Sequence, residues 1–360
     1  MYYNLPASLS KTSTYPIPGP PSKKPLATIG SQSKDSTPME LRSLRGTGAK
    51  VSPICLGTMT FGQQVDEAEA DRILGVSMDA GVNFIDTADV YVNGGSETIT
   101  GKILKGKREQ IVLASKVGSP SEDENPRTSG LHKWHVIKGV EESLQRLQTD
   151  CLDILYLHRP DRKTPIDETL DACDQLVRQG KVHYLASSNH SSWKMMELSL
   201  KSEYKGYSAP CVAQLPYNLI TRGIEDECLE YCQVHDVGLV VYNALAGGLL
   251  TGKHQINKPV EGSRFDYSKM YFDRYFSQSN FETVDALQSI AKEAGLSLIE
   301  LSLQWLISRP LVDSILLGAS KATQMEQSLA ALNGTLSPDT IDACDRVWQR
   351  IRGDFFRYYR

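Results

Sequence analysis

The 360-residue chain is 40% hydrophobic and 23% charged, enough apolar material for a large core, and its formal net charge is −4. That balance argues against a general nucleic-acid binder, and no apolar run approaches the length of a bilayer span. Seven scattered cysteines, odd in number and without framework spacing, read as reduced thiols of a cytoplasmic protein. Cys228 and Cys232 share a helix face, but no second pair stands near to complete a four-ligand zinc site.

Residues 1–38 are rich in Pro, Ser, Thr and Lys and poor in apolar periodicity. A disordered N-terminal extension is expected there, ahead of one domain over 39–360. The stretch has neither the apolar core of a secretory signal nor the Arg-rich amphipathic pattern of a transit peptide. From Met39, the run MELRSLRGTGAK sets Gly-Thr-Gly between two half-polar pieces and predicts a short hairpin. Short β-branched runs then follow at 51–57, 82–86, 111–115, 153–158, 182–187, 212–215, 238–242 and 314–317. Amphipathic stretches lie between them. In one, Val136, Ile137, Val140, Leu144 and Leu147 recur at helical spacing; another opens on Asp66 and Glu69, a capping-box-like pair, and closes on Gly81.

Alternating strand and helix patterns in eight units predict an α/β fold, a (β/α)8 TIM barrel, with the hairpin plugging its floor and a C-terminal helix. The runner-up, a doubly wound open sheet, lacks a GxGxxG after its first strand. Residues 254–280 carry Arg264, Phe265, Tyr271, Tyr275 and Phe276 without apolar periodicity and read as a long functional loop.

In such a barrel the site gathers at the C-terminal ends of the strands. In order these ends hold Gly57-Thr58-Met59, Asp86, Lys116, His158, Ser188-Asn189, Gln214 and Tyr242-Asn243. Each alone has an ordinary explanation: Asp86 as a helix cap, Lys116 as a solvated charge, His158 as a satisfied core histidine, Tyr91 as packing. Together they make a proton donor. A free Tyr titrates near about 10, and a Lys ammonium beside Tyr91 is expected to lower that value. Asp86 would keep Lys116 charged, and His158 would orient a substrate oxygen. No cluster of His and carboxylates calls for a metal.

The motifs LGTMTFG (56–62), NFIDTADVY (83–91), SETITG (96–101), ASKVG (114–118), DILYLHRPD (153–161), SSNH (187–190), LAGGLLTGK (245–253) and GASKATQMEQ (318–327) come in this order. With them the chain resembles the aldo-keto reductases from Met39 to about Trp348. The resemblance implies a catalytic tetrad of Asp86, Tyr91, Lys116 and His158, and the cofactor NADP(H). It also implies a cofactor site of Gly57, Thr58, Met59, Asp86, Ser188, Asn189, Gln214 and Tyr242, with Asn243, Ala244, Leu245, Ala246, Gly247 and Leu249 along the pyrophosphate. Lys253 and Arg264 would add positive charge, and Gly318, Ser320, Lys321, Gln324, Gln327 and Ser328 would receive the adenosine end. A Lys beside small residues at a helix start suits the 2′-phosphate of NADPH on physical grounds as well.

Ala244, His190, Ser328 and Thr100 depart from the family's usual Pro, Phe, Asn and Leu and bear on affinity rather than on the reaction. The implied reaction reduces a small-molecule aldehyde or ketone, with no nucleic-acid or membrane partner and no oligomeric state specified. One alternative is a cofactor-binding regulatory subunit, like the β subunits of potassium channels. Another is a barrel aldolase using Lys116 as a Schiff base.

Overall fold

The computed structural model describes residues 39–119, 127–256 and 258–353. The extension expected to be disordered, residues 1–38, lies outside them.

The chain opens with an antiparallel hairpin, β1 (Arg42–Ser43) and β2 (Lys50–Val51). The barrel strands follow: β3 (Ile54–Gly57), β4 (Phe84–Asp86), β5 (Val112–Val117), β6 (Leu152–Leu157), β7 (Val182–Ser188), β8 (Val212–Pro216), β9 (Gly238–Tyr242) and β10 (Ser314–Leu317). They are parallel neighbours in chain order, and β10 pairs with both β9 and β3 to close the ring. All eight expected strands are present. One boundary needs correction: the first run does not form one strand, because Val51 belongs to the hairpin and the barrel strand begins at Ile54. Pro53 separates them; it has no N–H to give a ladder, and its carbonyl accepts from Ile315 instead.

The helices are α1 (Glu67–Asp79), α2 (Gly95–Ile103), α3 (Lys133–Leu147), α4 (Ile166–Arg178), α5 (Ser192–Lys205), α6 (Cys228–Val234), α7 (Arg264–Tyr267), α8 (Lys269–Tyr275), α9 (Gln278–Glu293), α10 (Leu298–Ile307), α11 (Ala322–Ala330) and α12 (Pro338–Arg352). Among the described residues none is long and apolar enough to cross a membrane. Asp66 caps α1 by accepting from the Glu69 amide, and Gly81 follows at φ +91°.

Side chains alternate across each strand. The inward set, Cys55, Phe84, Ala114, Ile154, Tyr156, Ala186, Val212 and Val240, forms a compact inner core joined from below by Leu44 and Val51 of the hairpin. Leu44 is fully buried there, so the hairpin closes the floor. The outward residues, among them Ile54, Leu56, Ile85, Leu113, Leu155, Leu185, Leu215, Leu239 and Ile315, pack with the helices into a second, larger core.

The segment 254–280, expected as a long functional loop, is not loop throughout. Two short helices, α7 and α8, fold it, because its aromatics pack on one another: Phe265 lies 4.8 Å from Phe276 and 4.9 Å from His254 between ring centres. Aromatic contact, rather than aliphatic periodicity, supplies the core of this segment.

Candidate active site

The period of two that builds the inner core also builds the site. Two residues beyond Cys55, Phe84, Ala114, Tyr156, Ala186, Val212, Val240 and Leu316 come Gly57, Asp86, Lys116, His158, Ser188, Gln214, Tyr242 and Gly318. These are the strand-end residues expected from the sequence, and they form the next inward layer, at the mouth.

Lys116 is the hub. Its Nζ pairs with Asp86 Oδ1 and donates to the Thr87 carbonyl at 2.8 Å and to the Tyr91 hydroxyl at 3.2 Å. Both Lys116 and Asp86 are 1% exposed. Burial disfavours the ammonium, but Asp86 and Tyr91 together outweigh it and hold Lys116 protonated, above its ordinary range. Burial lifts the Asp86 carboxyl, against the pull of Lys116 and of the Gln214 amide, which donates to Oδ2 at 2.8 Å.

The expected lowering of Tyr91 is corrected. Burial raises its phenol above the ordinary value, and the Lys116 charge offsets only part of that. Tyr91 therefore stays protonated at neutral pH, with its stabilising cation already in contact. His158 stands edge-on to Tyr91, with ring centres 5.9 Å apart and planes at 83°. Burial, with help from Lys116 and Arg159, pushes the imidazole down to about 2, so it is neutral. Its Nδ1 is enclosed without a partner; assigning the single ring hydrogen to Nε2 makes that nitrogen a hydrogen-bond donor.

Many of the residues assigned to cofactor binding are tied to one another. Asn189, in left-handed backbone (φ 61°), donates to the His158 carbonyl and to Ser188 Oγ, both at 3.0 Å, and accepts from the Tyr242 hydroxyl at 2.7 Å. Thr58 is buried toward α2, its hydroxyl 2.8 Å from that of Ser96, while Met59 is exposed. Asn243 accepts from the Gly247 amide and holds the Tyr275 hydroxyl, fixing the turn in which Ala244, Ala246 and Leu249 are buried and Leu245 half-buried. Arg264 lies over the Tyr271 ring at 5.0 Å, and Lys253 is exposed. At the start of α11 the Ser320 amide and hydroxyl bond to Gln324 Oε1, each at 3.0 Å, with Lys321 and Gln327 exposed and Ser328 half-buried. His190 is buried and bonds the Ser188 carbonyl, and burial takes its imidazole down to about 4.

Several supporting residues escaped the sequence reading. Glu69 reaches the start of α11 rather than completing its own capping box; its Oε1 accepts from the Ala322 amide at 2.6 Å, and Arg72 holds its other oxygen. Glu97, fully buried, joins Ser115 to Arg146, which bonds it at 2.7 Å. Asp161 anchors the loop before α3 by accepting from the Leu131 amide at 2.8 Å. Gly130 (φ +78°) lies so close that a Cβ there would fall 2.7 Å from the Asp161 carboxylate. Asp161 of HRPD and Glu97 of SETITG lay inside the quoted motifs without a role, and Glu69 was read only as part of a cap. All seven cysteines are free, and among the described residues no group of three or more His, Cys, Asp or Glu is arranged to hold a metal ion.

Comparison with known proteins agrees with this geometry. The sequence matches the aldo/keto reductase family over residues 53–349. It is 34% identical over 322 residues to a probable voltage-gated potassium channel subunit beta of Arabidopsis thaliana, covering 86% of this chain and 97% of that one. It is 32% identical over 362 residues to aflatoxin B1 aldehyde reductase member 2 of Rattus norvegicus, covering 95% of each. An uncharacterized oxidoreductase of Bacillus subtilis, YrpG, is 33% identical over 326 residues, covering 88% of this chain and 98% of that one. Closed parallel barrel, mouth-level Asp–Lys–Tyr–His cluster and sequence match converge: the chain belongs to the aldo/keto reductase family, a family of oxidoreductases.

Proposed function

We propose that the protein is an NADPH-dependent oxidoreductase that reduces an aldehyde or ketone to an alcohol, with Tyr91 as the general acid. The observation that carries this is the Lys116 ammonium bonded at once to buried Asp86 and to the Tyr91 hydroxyl. The donor set suits a nicotinamide: the Tyr242 ring offers a stacking face, and Ser188, Asn189 and Gln214 form a linked group of amides and hydroxyl beside it. Lys253, Arg264 and Lys321 supply positive charge for its phosphates. When bound, the dihydronicotinamide supplies the hydride.

The residues of the chain do the rest. Neutral His158 directs an N–H at the carbonyl oxygen and fixes its approach. Tyr91 gives its proton to that oxygen as the alkoxide develops, and the phenolate left behind is stabilised by Lys116. Asp86 keeps Lys116 charged through the cycle. The net change is one hydride to carbon and one proton to oxygen.

Tyr91→Phe tests the assignment. The variant should lose nearly all turnover of simple aldehydes while NADPH still binds, measured by fluorescence titration. Turnover like that of the unsubstituted protein would overturn Tyr91 as the acid. A second reading, a cofactor-binding subunit of a channel, is favoured by the relative named a potassium channel subunit beta. Tight NADPH binding with no turnover across a broad carbonyl panel would select it.

A further inference from the structure

The adenosine end of the cofactor is assigned to the start of α11, with Lys321 beside it for the 2′-phosphate. A carboxylate of the chain itself already sits there. β3 and β10 are neighbours in the ring, and the helices that follow them, α1 and α11, pack side by side. Glu69, in the first turn of α1, reaches across, and its Oε1 accepts from the Ala322 amide at 2.6 Å. Ala322 is the first residue of α11, so this amide is one of those that a helix leaves open for an anion. The Ser320 amide just before it is also taken, by Gln324 Oε1 at 3.0 Å.

Arg72, on the same face of α1, donates to the other oxygen of Glu69 at 2.9 Å and keeps the carboxylate in this place. The Ala322 amide, then Arg72, hold the Glu69 carboxyl below its ordinary range against the effect of burial, and the Lys321 charge adds to them. Glu69 is therefore an anion at neutral pH. It draws on the same ammonium that a 2′-phosphate would use.

We propose that Glu69 is a specificity-determining residue of the cofactor site: an internal carboxylate at the start of α11 that opposes the 2′-phosphate of NADPH and tolerates the 2′-hydroxyl of NADH. A phosphate brought to this end meets a fixed negative charge beside the positive charge of Lys321. A ribose hydroxyl meets oxygens that can accept from it, the discrimination that an acidic residue makes in dinucleotide-binding sheets. The preference for NADPH that Lys321 confers is thus set against Glu69, and removing the Glu69 charge alone enlarges it. A tether between α1 and α11 would need only an acceptor for the Ala322 amide, which a glutamine carbonyl supplies as well.

This inference rests on the reading of the α11 start as the adenosine end of an NADPH site, and the experiment separates the two. Adenosine 2′,5′-bisphosphate and adenosine 5′-monophosphate present that end with and without the 2′-phosphate, and neither can be turned over. In isothermal titration calorimetry of the full chain, Glu69→Gln should bind the bisphosphate about two- to fivefold more tightly and leave the monophosphate unchanged. Glu67→Gln removes the same charge from the same helix, where the carboxylate pairs with Lys102 of α2 at 2.7 Å, and should change neither affinity. Equal changes for the two ligands in Glu69→Gln, no change in either, or the same gain in Glu67→Gln overturns Glu69 as the determinant and leaves the cofactor reading standing. If the unsubstituted protein binds neither ligand, the cofactor reading falls and the proposal falls with it.

Discussion

Replacing Lys116 by Met isolates the charge on Asp86. Both side chains are 1% exposed, so the substitution leaves a buried carboxylate with the Gln214 amide as a neutral partner. Breaking a buried pair from one side costs about 3–5 kcal/mol, much of it from the uncompensated charge. At roughly 2 °C per kcal/mol for a domain of this size, Tm should fall by about 6–10 °C. The charge can then be removed as well. Lys116→Met combined with Asp86→Asn should be more stable than Lys116→Met alone by about 2 kcal/mol, although it carries one more substitution.

The sign with pH is also determined. In Lys116→Met, burial raises the Asp86 carboxyl and the ammonium no longer opposes it. The folded state then binds a proton more tightly than the unfolded chain, so stability rises as pH falls. Urea unfolding followed by far-UV circular dichroism, at about pH 5 and about pH 8, measures both effects. A loss below about 1 kcal/mol in the single variant, or a double variant no more stable than the single, refutes the mutually dependent ion pair.

Glu69→Gln should tighten NADPH relative to NADH by about two- to fivefold, because it removes a carboxylate charge from the start of α11; Lys321→Glu should do the reverse. Fluorescence titrations with both cofactors decide, and equal changes for the two would exclude a 2′-phosphate at this helix. Gly101→Ala places a Cβ 2.6 Å from the Arg146 carbonyl oxygen, where α2 crosses α3, and should destabilise by about 1–3 kcal/mol in chemical denaturation. No loss there would mean that the two helices separate freely. Leu44→Ala should cost about 2–5 kcal/mol if the hairpin is a packed plug, and under about 0.5 kcal/mol if it only rests on the floor.

The barrel was legible because each strand is a short apolar run with its own period, and the cluster of Asp86, Lys116 and His158 because these residues stand at the ends of successive strands, with Tyr91 in the turn after the first of them. What stayed hidden depends on contacts that no local pattern encodes. The carboxylate of Glu69 spends itself on an amide 253 positions away. As the third helical residue it had every local reason to fold back on its own cap. The direction of the Tyr91 shift was missed for a related reason: a sequence displays the cation beside the phenol but not the depth at which both are enclosed. Segment 254–280 looked loop-like because its core is made of rings, and aromatic packing follows no simple period. Val51 was joined to the wrong strand because the division falls at Ser52 and Pro53, inside the run 51–57 read as one strand.

In a closed ring of eight, β4 and β8 stand opposite each other, so the 2.8 Å bond from Gln214 to Asp86 spans the bore like a tie-rod. A primary amide has two hydrogens, and this bond takes one. A carboxamide arriving at Gln214 changes the surroundings of the other while Asp86 keeps the first. In nitrogen-15-labelled protein, the two side-chain proton resonances of Gln214 would therefore form an internal gauge, one near its resting position and the other moving with the fraction of barrels filled. Such a signal needs no turnover, so it can report occupancy in the Tyr91→Phe protein, where an activity assay is silent.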